Sequence, residues 1–148
     1  MQRQLAALLE AYRRTHFRVL PVSRTGERHE PFEVRVGPED SGLTKILVRD
    51  QISCFTLLSA YNPGLERPPE ETNEREQKRL RSELAGYRFW EAEGLGEDGF
   101  REPTFFVWDM TPGEGRKMAG RFRQLAIVVG APHLEVELLV LDVSPGKV

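Results

Sequence analysis

Phe55-Thr56-Leu57-Leu58-Ser59-Ala60-Tyr61-Asn62-Pro63-Gly64 is the stretch whose reading decides the fold. From Ile52 to Ala60 the residues are almost free of charge, the pattern of a strand covered on both faces. Asn62-Pro63-Gly64 then stops it with strong turn signals. Tyr61 and Asn62 stand where the strand stops, so the stretch predicts a central strand that delivers polar side chains to one edge of a sheet.

Downstream, Pro68-Pro69-Glu70-Glu71 opens a helix that Gly86 closes, with Glu71 to Arg75 and Glu74 to Lys78 as i, i+4 surface pairs. Its inward stripe runs through Asn73, Gln77, Leu80 and Leu84, carboxamide-bearing at the start and apolar at the end. Tyr87 to Glu93 and Thr104 to Met110 read as strands joined by a loop rich in glycine and acid. Thr111-Pro112-Gly113-Glu114 is a capping box with proline at the first helical position. The helix it opens has a predicted buried stripe of Met118, Phe122, Leu125 and Ala126. Ala126 to Gly130 and Leu134 to Asp142 follow as strands, either one bent final strand or a hairpin around Ala131-Pro132-His133.

Upstream, Leu5, Leu8, Leu9 and Tyr12 recur at helical spacing and predict an amphipathic helix over 3–15. His16 to Val22 and Phe32 to Val36 read as a hairpin with one wet face, since Phe32-Glu33-Val34-Arg35-Val36 alternates with a period of two. Asp40 or Ser41 caps a short helix carrying Leu43, Ile46 and Leu47, with a strand as the alternative. The order from residue 52 is strand, helix, strand, strand, helix, strand. It predicts an α+β fold in a single domain, 1–148, with a ferredoxin-like split βαβ core over about residues 52–142, preceded by an N-terminal helix and a β-hairpin.

Composition narrows the function classes. A chain of 148 residues buries roughly 68–70% of its unfolded surface and needs no staple. A formal net charge of −2 marks neither a nucleic-acid nor a membrane binder. The one cysteine, Cys54, lies in the apolar run and reads as a small hydrophobe in a reducing compartment. No apolar segment approaches the roughly 20 residues of a membrane span, and the start leads into an amphipathic helix, so the cytoplasm is the expected location. His16, His29, His133 and Cys54 lack metal-ligand spacing, so neither a metal nor a cofactor is expected. Gly94-Leu95-Gly96-Glu97-Asp98-Gly99 fits G-x-G-x-x-G literally, but it leads into a strand and carries two acids. Dinucleotide binding is therefore not expected.

Right-handed crossovers bring the end of the first core strand, the start of its helix, the loop between the middle strands and the end of the second helix to one sheet edge. Tyr61, Asn62, Asn73, Gln77 and Gln124 fall there as candidate ligand donors, with Arg75 and Arg121 adding positive charge. Each has a plainer role available: Asn62 in an Asx turn, the carboxamides satisfying backbone groups, Gln124 closing a helix. Glu102 is the candidate general base, a carboxylate at a partly buried edge, with an arginine ion pair as its plainer role. A small anionic or amide-bearing molecule is the expected ligand. Two other readings stand beside it: an interaction module binding nucleic acid or an acidic protein through the basic helix 112–124, and a purely structural or oligomeric role.

Ser59-Ala60-Tyr61-Asn62-Pro63, Asn73 with Arg75 and Leu80, Glu102-Pro103-Thr104-Phe105-Phe106-Val107 and Arg121-Phe122-Arg123-Gln124-Leu125-Ala126 together resemble the bacterial domain of unknown function 3293 family. The resemblance extends from about residue 5 onward. It implies a small residue, often glycine, where this chain has Arg123, and it implies no assigned activity.

Overall fold

In the computed structural model, which describes residues 2–141, the organising stretch forms a strand of four residues, β3 (Phe55–Leu58), and all four are buried. Ser59 and Ala60 are buried too but have left the strand. The chain is an α+β fold. Before β3 come α1 (Gln2–Arg14), β1 (His16–Leu20), β2 (Phe32–Arg35) and α2 (Ser41–Arg49). After it come α3 (Glu70–Glu83), β4 (Phe89–Leu95), β5 (Arg101–Trp108), α4 (Pro112–Arg121), β6 (Ala126–Gly130) and β7 (Glu137–Val140). The last residue of the strand expected to Asp142, and the tail 144–148, lie outside the described residues.

One sheet takes in all the strands, in the order β2-β1-β4-β5-β3-β6-β7, and every neighbouring pair is antiparallel. The hairpin β1–β2 extends the sheet beside β4, and β6–β7 is a hairpin, which decides between the two readings of the final strand. Just past β2, Gly37 exchanges two backbone hydrogen bonds of 2.9 Å with Val136, just before β7. The two edges of the sheet therefore meet, and the sheet curls around its inner face.

Alternation along the strands sends Phe17, Val19, Val34, Phe55, Leu57, Trp90, Phe106 and Val128 into one cluster on that inner face, as the period of two requires. Helix α2 adds Leu43 and Leu47 to the same cluster. Its N-cap is Asp40, whose carboxylate accepts from the Gly42 and Leu43 amides, so the strand alternative for this segment falls. The outer face carries Leu58, Phe105, Val107, Ile127 and Val129, covered by Leu80 and Leu84 of α3 and Ala119 and Phe122 of α4.

Several expected details shift. On α3 the ion pair that forms is Glu76–Arg79 at 2.9 Å; the Glu71–Arg75 and Glu74–Lys78 pairs do not close. The helix ends at Leu84 in a right-handed turn, so Gly86 is not used for a left-handed cap. Of the stripe expected for α4, Phe122, Leu125 and Ala126 are buried and Met118 only partly so, and Gly115 and Ala119 within the helix are buried as well. Gly115 lets the helix axis come close: a side chain's first carbon there would stand 3.0 Å from Thr56 Cγ2 and from Ile127 Cδ1. Contact is thereby drawn onto the helix's smallest residues. The capping box forms as expected, with Thr111 and Glu114 bonded reciprocally.

The end of α4 explains the arginine that stands in place of a small residue. Arg123 N bonds Gly120 O at 3.1 Å and Gln124 N bonds Ala119 O at 3.0 Å, the double bonding of a Schellman motif. Arg123 sits at its left-handed position with φ 55°, where glycine is the least costly residue.

Candidate functional site

The site begins where β3 parts from β5. Leu58 is the last residue of β3 to pair, opposite Phe105, so two residues further back the carbonyl of Pro103 has no β3 partner. Side chains take it up: Ser59 Oγ donates to it at 2.7 Å and Gln77 Nε2 at 3.2 Å. Gln77 Oε1 in turn accepts from Ala60 N at 2.8 Å. Asn62 turns the chain with φ 45°; its amide donates to Asn73 Oδ1, and Asn73 Nδ2 donates to Asn62 Oδ1, both at 2.9 Å. Gln124, delivered by the Schellman turn, donates to Tyr61 O at 3.1 Å. Tyr61 gives its phenol proton to Glu70 at 2.7 Å. Burial first, then Glu70, pushes that phenol up to about 12.

Tyr61, Asn62, Asn73, Gln77 and Gln124 are thus brought together, and the carboxamides bond to one another and to backbone. Arg75 and Arg121 are not drawn in. Arg75 stays exposed on α3, and Arg121, also exposed, pairs with Glu83 at 3.3 Å. Arg123 pairs with Glu66 at 3.2 Å, and among the described residues Arg116 and Lys117 of α4 are exposed without an ion pair.

Glu102 belongs to β5, not to the loop before it, because the strand starts at Arg101. Its parity with Thr104 and Phe106 turns it to the inner side, at the open end of the curled sheet. Opposite it in register is Gly94, and both residues border an open space. That space is a cavity of about 610 Å³ between α1 and the sheet, walled by Leu8, Tyr12, Phe17, Asn62, Arg67 and Glu102. Phe100, Glu97 and Asp98, from the β4–β5 hairpin, border it. The glycine motif therefore serves as a cavity rim: Gly94 and Gly96 line it, and no helix follows.

Burial raises the Glu102 carboxyl to about 7, opposed by the positive charge of Arg67. Tyr12 faces the same space, and burial together with the charge of Glu102 pushes its phenol well above the ordinary range. Among the described residues neither Glu102 nor Tyr12 makes a side-chain hydrogen bond to protein, in contrast to the carboxamides. A carboxyl of this kind can exchange a proton near neutral pH or pair with a donor that enters the cavity.

Tyr12 and Arg67 were not among the residues the sequence singled out. Tyr12 completes the stripe of α1, and its signal was a phenol ending a run of leucines. Arg67, in the turn before Pro68, carries no signal of its own. The stripe of α1 is only half-buried throughout, which fits a helix lying over a cavity instead of a packed core. Among the described residues, no helix is long and apolar enough to cross a membrane, and no three His, Cys, Asp or Glu side chains are placed to hold a metal ion.

No curated protein and no solved structure matches the chain significantly. Residues 58–127 match the model of a family described as a protein of unknown function, DUF3293, a narrower span than the resemblance from about residue 5 onward. It runs from the last residue of β3 into β6, takes in the carboxamide cluster with Arg67 and Glu102, and leaves out α1. That match supports a DUF3293 family member of unknown function over residues 58–127.

Proposed function

We propose that this protein binds a small molecule in the cavity between α1 and the open end of the sheet, with Glu102 meeting its polar group. The observation that carries the reading is the state of Glu102: it is a half-buried carboxyl, without a hydrogen-bond partner in the protein, facing a space large enough for a metabolite. Leu8 and Phe17 offer the ligand an apolar wall, and Asn62 and Arg67 add polar contacts at one end. Of the two ligand types the sequence suggested, a molecule with N–H donors suits the cavity better than an anion, because Glu10, Glu97, Asp98 and Glu102 outnumber Arg14 and Arg67 along it.

On this reading Asn73, Gln77 and Gln124 act as the frame that holds the 59–64 turn, Asn62 included, in position. Glu102 is the residue suited to exchange a proton with a bound molecule. The strand order β4-β5-β3-β6, all antiparallel, with α3 and α4 on one face, supports a ferredoxin-like split βαβ core to which the outer strands are added. A cytoplasmic setting suits the free thiol of Cys54.

The experiment is a thermal-melt screen of amines, amides, amino acids, nucleotides and phosphorylated metabolites against the native protein and Glu102→Gln. A ligand at a hundred times its dissociation constant adds roughly 2.7 kcal/mol of stability. Compounds that shift the native protein and not the variant support the site. If every stabilising compound acts equally on both, the site is elsewhere.

A further inference from the structure

We infer that the occupant of this cavity is an organic cation, an ammonium carried on an apolar or aromatic body; this rests on the cavity being the ligand site proposed above. Three observations bear on it. The first is charge left over after pairing. Arg14 is engaged by Glu10 at 3.5 Å, and the guanidinium of Arg67 donates to Glu66 O at 2.8 Å while opposing Glu102. Glu97 and Asp98 have no cation partner among the described residues, and Asp98 uses one oxygen to accept the Phe100 amide at 3.0 Å. The rim is therefore negative, and Glu70 and Glu74, whose charges also reach Tyr61, add to the field on the turn side.

The second is the wall. Tyr12, Phe17 and Phe100 bring three aromatic rings to one cavity, and an aromatic face beside a carboxylate is the surface that attracts a weakly hydrated ammonium. Phe100 is 44% exposed, an open apolar ring that lines the cavity together with the two acids. The third is the half-buried carboxyl itself. Glu102 lines the cavity half-buried and with no hydrogen bond to protein, and a carboxylate partly withdrawn from water gains from a partner of opposite charge. An entering ammonium supplies that pair. A neutral amide would leave the carboxylates uncompensated, and an anion would be repelled. A metal ion is disfavoured because no three of these acids converge and aromatic rings are not its ligands.

Binding of a cation beside Glu102 favours its ionised form, so the affinity is linked to pH. The groups whose charge couples with Glu102 are Tyr12 from α1, Tyr61 at the end of the β3 run and Arg67 from the turn before α3, and Glu10, Arg14, Glu97 and Asp98 line the same cavity.

The test uses three probes of one shape: 2-phenylethylammonium, phenylacetamide and phenylacetate. Each is titrated against the full chain by ligand-observed NMR, with Glu102→Gln and the double variant Glu97→Gln, Asp98→Asn alongside; the double change lies on an exposed hairpin and keeps the test open if the first variant folds poorly. The ammonium is expected to bind at least about tenfold tighter than the amide, with the acid undetected. Both variants should weaken it, and its affinity for the native protein should fall about tenfold from pH 8 to pH 6 as Glu102 takes up a proton. If the amide or the acid binds as tightly as the ammonium and Glu102→Gln still abolishes binding, the cation is refuted and the site stands. If no probe binds at millimolar concentration, or all bind the Glu102 variant unchanged, the site reading falls with it.

Discussion

Replacing Glu102 by glutamine should make the protein more stable at alkaline pH and leave it nearly unchanged in acid. The carboxyl titrates at about 7 in the folded protein against an ordinary 4.5. Because the folded value is the higher one, the native state holds the proton more tightly than the unfolded chain does. Below about 4.5 both states are protonated and the residue has no titration effect. As pH rises from there to 7 the folded state loses stability, and above 7 the full cost of an enclosed carboxylate is present. At about 1.4 kcal/mol for each tenfold change in proton affinity, the interval is worth at most roughly 3 kcal/mol, and the part of the side chain open to the cavity lowers this to about 2 kcal/mol. Glutamine has nearly the same shape and no charge. Urea unfolding of both proteins at pH 4.5, 6, 7 and 8 isolates the effect, because the two chains differ only at position 102 and everything they share cancels in the difference. The difference in stability should grow by about 2 kcal/mol across that range, whatever constant offset the substitution adds. Parallel pH profiles would refute the enclosure of Glu102, and with it the site.

Asn73→Ala should cost about 2–3 kcal/mol in urea unfolding, since the Asn62 amide and its side-chain oxygen both lose their partner; a loss below about 0.5 kcal/mol would mean the pair is exposed and replaceable by water. Arg123→Gly should stabilise by roughly 0.5–1 kcal/mol, relief of the left-handed φ of 55° outweighing the exposed pair with Glu66, seen as a higher melting temperature. Gly130→Ala should destabilise by about 1–3 kcal/mol, because the new carbon would stand 2.5 Å from Phe55 Cζ, a buried ring with nowhere to move.

Much of the fold was legible because its signals are local. Asp40 before Gly42 and Leu43, the Thr111 to Glu114 box, the alternation of 32–36 and the break at Asn62-Pro63-Gly64 each name a backbone geometry within a few residues. The inward stripe of α3 was legible for the same reason, as Asn73, Gln77, Leu80 and Leu84 share one side of a helix. What was not legible depends on partners far apart in sequence. The start of β5 moved back to Arg101 because β4 offers a pairing surface as far as Leu95, which a proline at 103 conceals. The burial of Gly115 and Ala119 beside the expected Phe122, Leu125 and Ala126 was hidden because it depends on Thr56 and Ile127, which leave room only for small residues. Tyr12 and Arg67 became visible only once α1 was seen to lie over the open sheet end.

The carboxamides and Glu102 share one corner of the molecule and have opposite bonding states, which separates frame from site. Asn73, Gln77 and Gln124 reach across gaps left where β3 quits β5 and where α4 ends, and each meets a backbone group that would otherwise be buried alone. Removing them should unfold the corner. Glu102 stands on the next strand over, held by the rigid pairing of β4 and β5, yet its own oxygens meet no donor. A protein that needed only the frame would place an apolar residue at 102, since inner-face positions 106 and 108 are Phe and Trp and a half-buried carboxyl there costs stability at neutral pH. Stability lost at one position inside an otherwise satisfied corner is the physical mark of a residue kept for what it binds, and that is why the first variant to make is Glu102→Gln and not Asn73→Ala.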